Sequence, residues 1–229
     1  SCSLLAGALI DLGLKARSWL GWQIPIVTNI NYNSSQILKI KTEEVSKFIS
    51  NQGVAVIAGF QGISFENRIT TLGRGGSDLS AVALAKFFKA DSCEIFTDVD
   101  GVLTTDPSIN NKAKKIDKIS YEEMLEMASL GAKVMQPSAV QASMIDDILI
   151  HVRSTFSKKP GTKIISENDI DYKKTVTGIA YSKNNAKISL VGVVDKPGVA
   201  ADVFEPIGSN NINIDMVIQN TSLDGKTAN

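Results

Sequence analysis

The sequence predicts an α/β protein in which short buried strands alternate with helices, followed by a smaller α+β unit. Three observations carry this. Residues 53–60 form a nearly continuous apolar run with Val54, Val56 and Ile57, the pattern of a strand covered on both faces in a parallel sheet. Residues 94–97 and 148–152 are further short apolar strands, and helical patterns separate the three, which is the alternation of an α/β layer structure. Past Lys173 the rhythm changes: Ile212, Ile214, Met216 and Ile218 share one strand face at period two, with Asn213, Asp215, Val217 and Gln219 on the other.

The elements follow in order. Residues 4–14 carry apolar side chains at helical spacing and stop at Gly13. Residues 39–41 make a short strand. Thr42 caps a helix through Val45, Phe48 and Ile49, with Val45 and Ile49 on one face. Residues 61–67 read as a turn, followed by the stretch 69–72. The glycine-rich segment 73–77 opens a helix over 78–88. Ser120 and Glu123 form a capping box ahead of Met124, Leu125 and Met127. That helix stops near Gly131, and Pro137 opens the next, through Val140 and Met144. Residues 157–161 are a turn or domain edge. In the second unit, residues 187–194 begin as an alternating strand, Asp195, Lys196, Pro197 and Gly198 make a tight turn, and 200–207 form a helix with Pro206 near its end. The predicted division is 1–165 and 166–229.

Composition narrows the function. The 229 residues are 43% hydrophobic and 21% charged, the balance of an ordinary globular protein. Lys plus Arg and Asp plus Glu both number 24. That neutrality gives no basic excess for nucleic acid and no polybasic membrane surface. No apolar stretch approaches the roughly 20 residues that span a bilayer. Cys2, Cys93 and the single His151 do not supply a disulfide framework or a Cys/His metal site, and no metal-ligand set is predicted. His151, between Ile150 and Val152, reads as structural. Trp19 and Trp22 are either core or pocket lining. The opening lacks the basic start of a signal peptide and reads as a helix whose beginning is absent. Asp224, Gly225 and Lys226 read as a hairpin turn whose second strand is cut off at Asn229. An internal fragment is the expectation.

Three segments carry chemistry. Thr70-Thr71-Leu72-Gly73-Arg74-Gly75-Gly76-Ser77-Asp78 runs straight into a helix. Its glycines let the backbone approach a ligand, the helix start offers free N–H groups to an anion, and Arg74 can pair bidentately with a carboxylate or phosphate. Ser77 can donate a hydrogen bond and Asp78 can cap the helix. A plain capped loop accounts for the same residues equally well. The segment is neither a Walker A loop nor a dinucleotide fingerprint. In the second segment, Thr97, Asp98, Asp100, Gly101, Leu103 and Asp106 follow a strand's carboxyl end, where open α/β sheets bind ligands. A carboxylate there can accept from adenine or ribose, or hold Mg²⁺ through water. A solvated turn is the plainer alternative. In the third, Lys133 lies between two helices, where it is either a phosphate-binding point charge or ordinary surface.

Together these segments resemble aspartokinase, over about residues 4–226. The resemblance implies an amino-acid-kinase-like αβα sandwich with a mostly parallel sheet, followed by the first half of an ACT domain. It implies ATP-dependent phosphorylation of L-aspartate to 4-phospho-L-aspartate with Mg²⁺, the first step toward lysine, threonine, methionine, isoleucine and diaminopimelate. Arg74 and Ser77 correspond to aspartate-side residues, and Asp78 orders the same catalytic loop. Thr97, Asp98, Gly101 and Leu103 fall on the nucleotide side, and Lys133 reaches the phosphates. Asp195, Gly198, Asn213, Asp215 and Gln219 are the candidates for effector or interface contacts, with lysine, threonine or both as feedback effectors. A homo-oligomer or α/β-subunit assembly and a cytoplasmic location are implied as well. Many relatives carry tyrosine at Leu103, arginine at Ser108 and histidine at Gln136. The family's Lys-Phe/Tyr-Gly-Gly-Thr-Ser stretch is not found, so the expectation is a chain lacking the amino-terminal catalytic stretch and most of the ACT region, inactive alone. The alternatives are a glutamate, acetylglutamate or uridylate kinase of the same fold, and a non-catalytic amino-acid-binding regulatory protein.

Overall fold

The computed structural model describes residues 1–171, 176–181, 186, 188–194, 196–210, 214, 217 and 227–228. The chain divides into two units, Ser1–Ser182 and Lys183–Asn229.

The first unit opens with α1 (Cys2–Asp11), after which Gly13 turns the chain at φ +82°. β1 (Ala16–Trp19) pairs in parallel with β4 (Val54–Ile57). A second sheet holds β2 (Ile26–Thr28), β3 (Ile37–Ile40), β5 (Gln61–Ser64) and β6 (Ile69–Thr71) in the order β3-β2-β5-β6. Only its central pair, β2–β5, is parallel. A third sheet holds β7 (Cys93–Thr97), β8 (Lys118–Ser120), β9 (Ile150–Ser154) and β10 (Thr162–Ile165) in the order β7-β9-β10-β8. Its outer pairs are parallel and β9–β10 is antiparallel. The α/β class holds, with sheets that mix the two senses because the β5–β6 and β9–β10 hairpins each insert an antiparallel pair.

Four helices, α2 (Glu43–Ser50), α3 (Gly76–Phe88), α4 (Tyr121–Ser129) and α5 (Pro137–Asp146), complete this unit. Ile119, Ile150, Val152 and Ile164 of the third sheet bury against Met124 and Met127 of α4, Ala139 and Val140 of α5, and Val82 and Ala85 of α3. A smaller cluster gathers Trp19, Ile24, Ile26, Ile40 and Val45, and α3 enters it through Ala83. One helix thus serves both cores, so the position of its amino terminus is fixed from two sides. Lys86 of α3 pairs with Asp146 of α5 at 2.8 Å.

Several expectations change. The run at 53–60 gives β4, but Val54 is 39% exposed and Ala55, Val56 and Ile57 are half-buried, so the strand is not buried on both faces. The turn expected at 61–67 is strand β5 followed by a bend in which Asn67 takes φ +56°. Gly62 hides that strand in the sequence, yet it is where β5 crosses Thr28, whose Cγ2 a Cβ would meet at 2.3 Å. Residues 157–161 are the loop of the β9–β10 hairpin and not a domain edge. Val45 is buried while Ile49 is 45% exposed, so the two do not share a buried face. Trp19 is core and Trp22 is exposed. His151 lies on β9 with Nδ1 3.4 Å from Glu94, and burial lowers its pKa first of all, with Glu94 opposing.

In the second unit, β11 (Val193–Val194) pairs antiparallel with β12 (Thr227–Ala228), and α6 (Val199–Ser209) follows Gly198. Pro206 sits inside α6, and Gly198 starts it at φ +99°. The strand expected over 212–219 lies largely outside the described residues.

Candidate functional site

The glycine loop connects β6 to α3. Gly75 is the N-cap residue at φ +74°, a conformation that costs an L side chain about 1–2 kcal/mol. A Cβ there would also fall 1.9 Å from Gln136 Cγ. No side chain caps α3, so the capping role expected for Ser77 or Asp78 is not what the structure gives. Asp78 accepts instead from the backbone N–H of Gln136, at the start of α5, where a carboxylate is favoured by the helix dipole. Burial raises the Asp78 pKa and the Gln136 N–H opposes that shift. Burial, with the Asp78 charge, pushes the Cys93 thiol up to about 11.

Residues that sequence reasoning missed hold this loop. Ser80 Oγ donates to Gly76 O at 2.6 Å and accepts from Phe60 N–H at 2.8 Å. Phe60 itself takes φ +68°. On the other flank, Ser35 donates to Thr71 O through N–H at 2.9 Å and Oγ at 2.8 Å. Arg74 and Ser77 remain exposed, and Arg74 forms no ion pair with any described residue. Gly76 N–H donates to Gly73 O at 3.1 Å, so the arrangement leaves a cation, a hydroxyl and the Ser77 and Asp78 N–H groups available to an anion.

The second loop follows β7. Thr97 and Asp98 lie 3.2 Å apart, Thr97 Oγ1 to Asp98 Oδ1, and Asp98 is exposed. Asp100 is committed elsewhere: Lys159 Nζ and Ser157 Oγ both donate to it at 2.7 Å and hold its pKa below the usual range. Gly101 takes φ +137° against Thr162. Thr162 Oγ1 accepts from Val102 N–H at 2.9 Å and donates to Ile116 O at 2.5 Å. Asp106 accepts from Ser108 N–H and Oγ, which lower its pKa, and Lys133 adds a weaker pull.

Gly101, Leu103, Asp106 and Lys133 line one cavity of about 260 Å³, together with Val99, Met127 and the stretch 179–181. Thr97 and Asp98 are not among its lining residues and stand beside it at the strand end. Arg74, Ser77 and Asp78 belong to the glycine loop. Residues 132–136 connect the two places: Ala132, Lys133 and Val134 line the cavity, while Gln136 meets Gly75 and Asp78. Among the described residues, no group of three or more His, Cys, Asp or Glu side chains could hold a metal ion. No helix among them is long and apolar enough to cross a membrane. Of the effector candidates, Gly198 is described, while Asp195, Asn213, Asp215 and Gln219 lie outside the described residues.

Comparison with known proteins adds the following. The amino acid kinase family model matches residues 1–154, and the ACT domain model matches 188–229. An aspartate kinase of Stutzerimonas stutzeri is 45% identical over 226 residues, 98% of this chain and 55% of that protein. Aspartokinase III of E. coli in complex with aspartate and ADP superposes with a TM-score of 0.72 at 25% identity, covering 99% of this chain and 51% of the other. The same enzyme in complex with lysine and aspartate gives 0.67 at 26%, with the same coverage. The chain therefore spans about half the length of the relatives it matches. The family match corrects one expectation. It starts at residue 1 and takes in the first 154 residues, which overturns the expectation of a chain lacking the amino-terminal catalytic stretch. With two thirds of its length inside that match, the chain belongs to the amino acid kinase family.

Proposed function

We propose that this protein is an aspartate kinase, moving the γ-phosphoryl group of ATP to the side-chain carboxylate of L-aspartate to give 4-phospho-L-aspartate and ADP. The observation that carries the reading is the segment 132–136, which joins a cavity holding Lys133 to a glycine loop presenting Arg74 and Ser77. Transfer between two anions needs them brought together under positive charge, and a carboxylate is already ionised at pH 7, so no general base is required. Arg74 and Ser77 orient the aspartate, with Asp78 setting their loop against α5. Gly101 and Leu103 receive the nucleotide, Thr97 and Asp98 flank it, and Lys133 meets its phosphates as a point charge.

Magnesium accompanies the ATP in this reading. It takes few protein ligands, one or two carboxylates beside the phosphates, and Asp106 lines the cavity together with Lys133. Residues 1–165 make the catalytic part, and 166–229 make the linker and regulatory part. The lysine complex of the E. coli relative and the ACT match support lysine as an effector bound by the second unit, with threonine and a multi-subunit assembly as further expectations, in the cytoplasm.

The test is ADP release with aspartate, glutamate, acetylglutamate and UMP in parallel. Turnover of aspartate alone is expected, and equal use of another acceptor would overturn the assignment. Arg74→Ala is expected to lower kcat/KM for aspartate about 10- to 100-fold, the loss of a charged hydrogen-bonding partner, while the KM for ATP changes little.

A further inference from the structure

We propose that residues 177–181 form a wall of the nucleotide site, and that Ile179 and Tyr181 meet the nucleobase. The inference deepens the nucleotide reading above and rests on it. Four contacts fix the stretch to the first unit. Thr177 Oγ1 donates to Glu123 of α4. Gly178 lies so close that a Cβ would come within 2.9 Å of Met127 Sδ and 3.3 Å of Thr104 O. Ile179 N–H donates to Thr104 O at 2.7 Å. Ala180 packs against the larger core.

Held this way, Ile179, Ala180 and Tyr181 line the same cavity as Gly101, Leu103 and Lys133. Ile179 and Tyr181 are 65% and 50% exposed, apolar surface that a flat ring would cover. The volume of about 260 Å³ falls just under the roughly 300–1,000 Å³ of whole ligand sites. It suits a base and sugar, with the phosphates at Lys133. The wall thus reads the base, and the lysine reads the charge.

Calorimetry separates these contributions in the purified chain without any acceptor, using ADP and inorganic tripolyphosphate as probes. Tyr181→Ala is expected to weaken ADP at least about fivefold, the low end for losing a base–aromatic stack. Tripolyphosphate affinity should stay the same, and Tyr181→Phe should restore ADP. Ile179→Ala repeats the comparison without disturbing the backbone bond to Thr104, and carries the test should Tyr181→Ala fail to fold by circular dichroism. Unchanged ADP affinity in both alanine variants, or equal loss of ADP and tripolyphosphate, would overturn the wall. So would a wild-type chain that binds no ADP. A wild type that binds ADP but does not phosphorylate aspartate, with the variants behaving as expected, would leave the wall standing and sink the acceptor assignment alone.

Discussion

Asp78 shows how far a single side chain can depart from the role its position suggests. Two residues into α3, a carboxylate is the natural cap, yet it turns to Gln136 N–H and becomes half-buried between α3 and α5. Its folded pKa lies above the ordinary 3.8, so the folded state holds the proton more tightly than the unfolded chain does. The stability tied to the neutral form is complete below pH 3.8 and is lost as pH rises through the raised folded value. Asp78→Asn should therefore raise Tm at pH 7, and the gain should vanish in melts run below pH 3.8. A gain of equal size at both pH values would show that burial of the charge is not the cause. The turn into α3 was legible, because its glycines and the helical pattern after them are local signals. The partner was not, since nothing local in Gln136 marks it as facing Gly75.

Helix starts were read closely in position, because their signals lie within four residues, although neither Thr42 before α2 nor any side chain before α3 makes a cap bond. The capping box of α4 forms as expected: Ser120 Oγ accepts Glu123 N–H at 3.1 Å, and Glu123 accepts Ser120 N–H at 3.2 Å. Ser120 is buried, so Ser120→Ala should cost about 1 kcal/mol, the usual loss for a cap. A lower urea midpoint with an unchanged slope is the expected result. A variant unfolding at the wild-type midpoint would mean the helix does not depend on this cap. Strands were read worst. β1 carries Arg17 and Ser18, β2 spans three residues after Pro25, and β8 is Lys118–Ser120. Such strands are too short for period two to emerge, and pairing with distant partners decides them. β10 pairs with both β8 and β9, a relation that no window of sequence contains.

At the scale of the molecule, the α/β class and the order of the loops were legible, while the cavity was not. Its walls come from residues as far apart as Val99 and Tyr181, and only the folded chain brings them together. The same holds for residues 132–136, whose two ends serve different places. Seen as a mechanical part, this segment is a gauge block. Under the proposed function it sets the span between the phosphates at Lys133 and the acceptor at Arg74 and Ser77. One glycine inserted after Val134 adds up to about 3.8 Å of chain; it should leave the affinities for ADP and aspartate within about threefold and lower kcat by at least about 100-fold, the penalty that a misplacement near 1 Å already carries. Single-turnover rates alongside equilibrium binding would measure both, and a kcat that survives the insertion would mean the span is set elsewhere. Across enzymes built this way, acceptors of different reach would then be accommodated by the length of one short connector, with both binding sites kept as they are.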